Sequence, residues 1–126
     1  MFAETKAFSG FAVDDLGAAQ RFYGETLGVK TTVLMEDMLL QLDLAGERPT
    51  LIYAKPDFVP ATYTILNFEV DDIEATAGEL AARGVELERY EGMDQDEQGI
   101  SRNPEGPLIV WFKDPAGNIL SALQQP

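Results

Sequence analysis

The chain has 126 residues, 45% of them apolar, with 22 Asp and Glu against 9 Lys and Arg and a formal net charge of −13. It has no Cys and no His. Disulfides, thiolate catalysis and zinc–thiolate sites are therefore excluded, and the commonest metal ligand and the usual general base near neutral pH are missing. The length suits one domain or two half-domains sharing a core. The acidity repels nucleic acid and anionic membrane, and it either serves solubility or gathers cations at the surface.

In chain order, Ala7–Val13 (AFSGFAV) reads as a strand. Asp14 and Asp15 then offer a carboxylate to the free N–H groups of a helix start. Leu16, Ala19, Phe22, Tyr23 and Leu27 follow at helical spacing, and Gly28 closes the helix. Lys30–Met35, Met38–Asp43 and Thr50–Ala54 are strand candidates, with Gly46 in the turn before the last. Lys55–Pro60 (KPDFVP), with two prolines, reads as a linker between residues 1–54 and 61–126.

The pattern then restarts. Thr64–Val70 reads as a strand, and Asp71 and Asp72 cap a helix with the stripe Ile73, Ala77 and Leu80, ended by Gly84. Val85–Tyr90 is a strand candidate, Glu91–Gly106 a polar loop, and Leu108–Lys113 and Ile119–Leu123 are strands around the tight turn Asp114–Asn118. The longest apolar run, Leu108–Phe112, is too short to span a bilayer. The opening MFAETKAFSG lacks the basic start and apolar core of a secretory signal, so the expected location is the cytoplasm.

Two stretches say almost the same thing: VDDLGAAQRFYGETLGV (Val13–Val29) and VDDIEATAGELAARGV (Val70–Val85), the second one residue shorter between VDD and GV. The chain is thus strand–helix–strand–strand–strand, twice. A four-stranded sheet with one helix leaves a face uncovered, and two such units can set those faces around a shared cup. The fold class is α+β: two paired βαβββ modules with a cup-shaped mixed sheet and helices outside, one compact domain in all.

FAVDDLGAAQRFYGETLGV, NFEVDDIEATAGELAARGV and WFKDPAGNIL, in this order and spacing, resemble the vicinal oxygen chelate superfamily of glyoxalases, bleomycin-resistance proteins and extradiol dioxygenases. The resemblance covers essentially the whole chain. It implies the paired-module fold, a homodimer with two equivalent cups, and in the family's enzymes a divalent metal in each cup. Carried over by position, the ligand sites of the family fall on Phe8, Ile65, Ser121 and the strand Thr50–Ala54. Phe and Ile cannot donate to a metal, and a neutral Ser is a poor replacement for Glu. The resemblance is therefore closest to the metal-free bleomycin-resistance-like branch, with no metal, no cofactor and no inherited catalytic residue.

Strand alternation assigns the cup residues. Ile65, Asn67 and Glu69 face the cup, as do Phe8, Gly10 and Ala12 on the first strand and Ile119, Ser121 and Leu123 on the last. Gly10 and Ala12 either leave room for a ligand or let the sheets approach. Of the adjacent Trp111 and Phe112 only one can face the cup, and Trp111 is favoured. Tyr53, Phe58, Tyr63 and Tyr90 are candidates for the rim, though aromatic residues on strands also serve simply as core. Glu69 is the one acid on its strand's cup face and would suit a cationic or hydroxyl-rich ligand. Asp94, Asp96, Gln98, Gly99 and Glu105 match positions of a calcium-loop template, but strands rather than helices flank them, so a solvated loop or lid is expected.

The leading expectation is metal-independent binding of a small, partly aromatic or cationic molecule, a drug or toxic metabolite held by sequestration. The alternatives are a metal-independent lyase or isomerase using Glu69, Tyr53 or Tyr90 as acid or base, and an interaction module with a vestigial cup.

Overall fold

The computed structural model describes residues 1–46 and 48–126, which divide into two compact units, Met1–Pro60 and Ala61–Pro126. Each is an α+β module. In the first, β1 (Gly10–Val13), α1 (Leu16–Gln20), β2 (Lys30–Leu34), β3 (Leu39–Asp43) and β4 (Thr50–Ala54) follow one another. The sheet order is β1-β4-β3-β2, with β1 parallel to β4 and the other pairs antiparallel. In the second, β5 (Thr64–Glu69), α2 (Ile73–Ala82), β6 (Ser101–Arg102), β7 (Leu108–Lys113) and β8 (Ile119–Gln124) give the order β5-β8-β7-β6, again with one parallel pair, β5 and β8. Among the described residues, no helix is long and apolar enough to cross a membrane.

The duplicated VDD signal acts the same way in both modules. Asp15 accepts a hydrogen bond from the Ala18 N–H and Asp72 from the Ala75 N–H, each pairing a donor that the first helical turn leaves free. Gly28 and Gly84 end the two segments at φ +72° and +81°, where a side chain would be strained.

Between those signals the copies differ. α1 gives way after Gln20 to a π-helix, Arg21–Thr26, closed by the Leu27 N–H on the Phe22 carbonyl at 2.8 Å. A π turn is an α-helix carrying an extra residue, and the first copy is the longer one by a single residue. The widened turn brings Phe22 and Tyr23 edge to face at 5.2 Å, with Tyr23 fully buried and 5.9 Å from the Phe11 ring.

Register fixes the faces. In the second module Phe112 lies opposite Leu120, and Leu120 opposite Leu66; Val110, Ala122 and Phe68 form the next row. Those rows meet the buried stripe Ile73, Ala77 and Leu80 of α2. Trp111, Ser121 and Asn67 form a row on the other, helix-free face. In the first module Phe11, Ile52 and Leu40 lie on the helix side, and Gly10, Leu51 and Gln41 on the helix-free side.

Three expectations from sequence are corrected. The first strand begins at Gly10, so Phe8 precedes it and is 64% exposed. Ile65 is the extra residue of a bulge, because β5 advances from Thr64 to Leu66 while β8 advances from Ile119 to Leu120. Val85–Tyr90 does not form a strand. It touches β7 through one bridge, Leu87 to Phe112, and the Glu88 N–H on the Trp111 carbonyl at 2.7 Å. Ser101 and Arg102 take the remainder of that edge. Since β7 offers one free edge, two short segments divide it.

Candidate functional site

The helix-free face of the second module gathers Asn67, Glu69, Tyr90, Trp111 and Ser121 of the residues that sequence singled out. Ser121 is buried, and its hydroxyl donates to Asn67 Oδ1 across the parallel pair β5–β8. Trp111, 9% exposed, completes that row. The Tyr90 ring packs edge-on against it, centroids 5.5 Å apart. Glu69 occupies the next row opposite Leu123, which pairs in turn with Ile109. The Glu69 side chain is exposed.

Two charged residues that sequence did not single out frame Tyr90. Lys113 stands two residues beyond Trp111 on the same face and reaches Glu88 Oε1 at 3.1 Å. Burial, and after it the Glu88 carboxylate, hold the Tyr90 hydroxyl above its ordinary pKa, with Lys113 pulling the other way. The hydrogen bond to Glu88 and the charge of Glu88 raise Lys113 in turn. Period-two alternation from Trp111 is the signal that would have found Lys113. Nothing pointed to Glu88, whose position depends on the single bridge at Leu87.

The remaining candidates lie elsewhere. Gly10 and Tyr53 are on the helix-free side of the first module, with Tyr53 43% exposed. A methyl group at Gly10 would come within 2.9 Å of the Leu51 carbonyl oxygen, so glycine is needed there for close approach of β4. Phe58 is half-buried in the turn closed by its N–H on the Lys55 carbonyl, and Tyr63 is 70% exposed just before β5. A separate open concavity of 510 Å³ lies between α2 and the 84–98 segment, walled by Ala77, Ala81, Val85 and Leu87 and rimmed by Glu86 and Glu97. It contains none of the candidates.

The positions that would carry metal ligands do not fit a divalent cation. Phe8 and Ile65 have no donor atom, the Ser121 hydroxyl is engaged by Asn67, and β4 offers Thr50, Leu51, Ile52, Tyr53 and Ala54.

The 94–105 loop has a different organisation from a calcium loop. Asp96 Oδ1 accepts the N–H groups of Gln98 and Ile100, and Oδ2 accepts Arg102 Nε at 2.8 Å. Arg102 extends the tie to Glu74 on α2, also at 2.8 Å. Gln95 donates to the carbonyls of Glu88 and Gly99 and accepts the Tyr90 N–H. Asp96 is thus committed to shaping the loop.

Partial burial pushes the Asp96 carboxyl up, but the hydrogen bonds from Arg102, Ile100 and Gln98 outweigh it and lower the pKa. The contribution of its charged form is complete above the ordinary carboxyl value and is lost as the pH falls through the lowered one. The Gln98 and Ile100 amide shifts, followed by NMR during acid titration, should therefore move with a midpoint below the ordinary Asp range. They should lose that transition in Asp96→Asn. A midpoint at or above the ordinary range would contradict the geometry.

Two successive βαβββ modules, each with a helix on one face of a mixed sheet, are the elements of the glyoxalase-type fold. The chain belongs to the Glyoxalase/Bleomycin resistance protein/Dioxygenase superfamily, whose sequence profile matches residues 7–121. No curated protein sequence matches it significantly. Solved structures share the fold. TnmS3, an antibiotic binding protein from Streptomyces sp. CB03234, is 22% identical with a TM-score of 0.75 over 100% of this chain and 99% of that one. A superfamily member from Sphaerobacter thermophilus is 21% identical, TM-score 0.74, over 99% and 100%. Lactoylglutathione lyase from Agrobacterium tumefaciens is 20% identical, TM-score 0.70, over 96% and 93%.

Proposed function

We propose that the chain binds a small, partly aromatic or cationic molecule on the helix-free face of its second module, without a metal, and sequesters it. The row Trp111–Ser121–Asn67, with Tyr90 against the indole, carries this reading. It combines an aromatic wall with a few convergent polar groups, the usual make-up of a small-molecule site. The unsuitable donor set at Phe8, Ile65 and Ser121 supports binding over metal-assisted chemistry. The antibiotic-binding neighbour of the same fold supports a drug or toxic metabolite as occupant.

The test uses the chain's one tryptophan. Titration with acridine orange, a planar cation, should change Trp111 fluorescence, and a chelator should leave both the affinity and the melting temperature unchanged. Trp111→Leu keeps apolar bulk and removes the ring face, and should weaken binding measured by calorimetry by about 1–3 kcal/mol. Glu69→Gln should weaken cations more than neutral analogues, and added salt should shrink the difference because Glu69 is exposed. Unchanged affinity in Trp111→Leu would place the site elsewhere.

A further inference from the structure

The Tyr90 hydroxyl is buried and, among the described residues, has no hydrogen-bond partner. Buried polar atoms are nearly always paired, and an unpaired one destabilises the folded state. Of the residues around Tyr90, Glu88 holds Lys113 through Oε1, and the amide of Gln95 pairs with Tyr90 N, Glu88 O and Gly99 O. Tyr90 as a whole is half-buried. Its backbone N–H is held by Gln95 at 2.8 Å, and its ring rests on Trp111.

We infer that the molecule bound on this face presents a neutral hydrogen-bond acceptor, an aryl carbonyl or equivalent oxygen, to the Tyr90 hydroxyl. The inference rests on the ligand-binding reading above and narrows its substrate class. A hydroxyl can also accept, but a donor on the ligand would leave the buried proton unpaired, and only an acceptor satisfies it. An anionic acceptor is disfavoured by the neighbouring Glu88 carboxylate and by the chain's net charge of −13. The raised pKa keeps the hydroxyl protonated, and so a donor, across the neutral range. A planar body against Trp111 sets such an acceptor beside Tyr90. The hydroxyl carries no exposed surface, so the occupant parts the side chains over it, and the new hydrogen bond offsets part of that cost.

Tyr90→Phe tests this with 9-fluorenone and fluorene, flat probes of similar shape with and without a carbonyl. The variant should melt about 3–6 °C higher than the parent, because it removes an unpaired buried group. The parent should bind fluorenone more tightly than fluorene. Tyr90→Phe should lose about tenfold in affinity for fluorenone while fluorene stays within about twofold. A lower melting temperature, or equal losses for both probes, overturns the inference. A parent that binds acridine orange but neither flat probe overturns it while leaving the ligand-binding reading intact. A parent that binds none of the three removes that reading as well.

Discussion

Phe112→Ala is expected to lower the unfolding free energy by about 3–5 kcal/mol, the range for deleting a buried aromatic ring. Phe112 is 1% exposed and sits in the row with Leu120 and Leu66 against which α2 packs. Removing the ring takes its apolar area out of the core and leaves a cavity. Neighbours held in a four-stranded ladder cannot close it fully. A guanidinium titration should show the midpoint fall with an unchanged slope, the signature of lost stability without a change in the surface exposed on unfolding. Phe112→Leu should recover much of the loss. A midpoint equal to the parent's would mean that the helix covers the opposite face.

Asp114→Ala should cost about 2–4 kcal/mol although it removes few atoms. Asp114 is 4% exposed and Asn118 2%. Asp114 Oδ1 accepts the N–H groups of Ala116 and Asn118, and Oδ2 accepts Asn118 Nδ2 at 3.1 Å. Asn118 Oδ1 then accepts the Ala61 N–H, anchoring the start of the second module to the turn before its last strand. Alanine would leave buried donors without acceptors, a larger penalty than the net worth of the hydrogen bonds themselves. The exposed Asp71→Ala serves as control, expected within about 0.5 kcal/mol of the parent. Similar midpoints for the two variants would show that the turn does not depend on its carboxylate.

Helix starts and stops were legible because each is decided locally: an Asp side chain meets a free N–H three residues on, and a Gly takes positive φ. Strands such as Thr50–Ala54 and Leu108–Lys113 were legible through their apolar content and their turns. Val85–Tyr90 was misread because its composition suits a strand, while pairing depends on how much of the β7 edge Ser101 and Arg102 already hold. Ile65 kept its odd-numbered position in the sequence but not its place in the ladder, since a bulge answers to the partner strand. The site was half visible. Alternation favoured Trp111, Asn67 and Ser121 for one face, and register puts them in one row. The unpaired Tyr90 hydroxyl was invisible, because a missing partner is a property of the packed surroundings.

The π-helix at Arg21–Thr26 has a consequence for how the duplicated modules tolerate change. One residue added to a regular α-helix turns everything after it by about 100°. That rotation would carry the apolar side chains after the insertion away from the sheet and deliver the chain to β2 out of phase. A strand entering one residue out of phase presents the wrong face along its whole length. Widening a single turn takes up the rotation where it arises. Both modules can then end their helical segments on a glycine, though their spacers differ in length. The insertion is confined to a bulge in the cylinder wall, and the sheet does not register it.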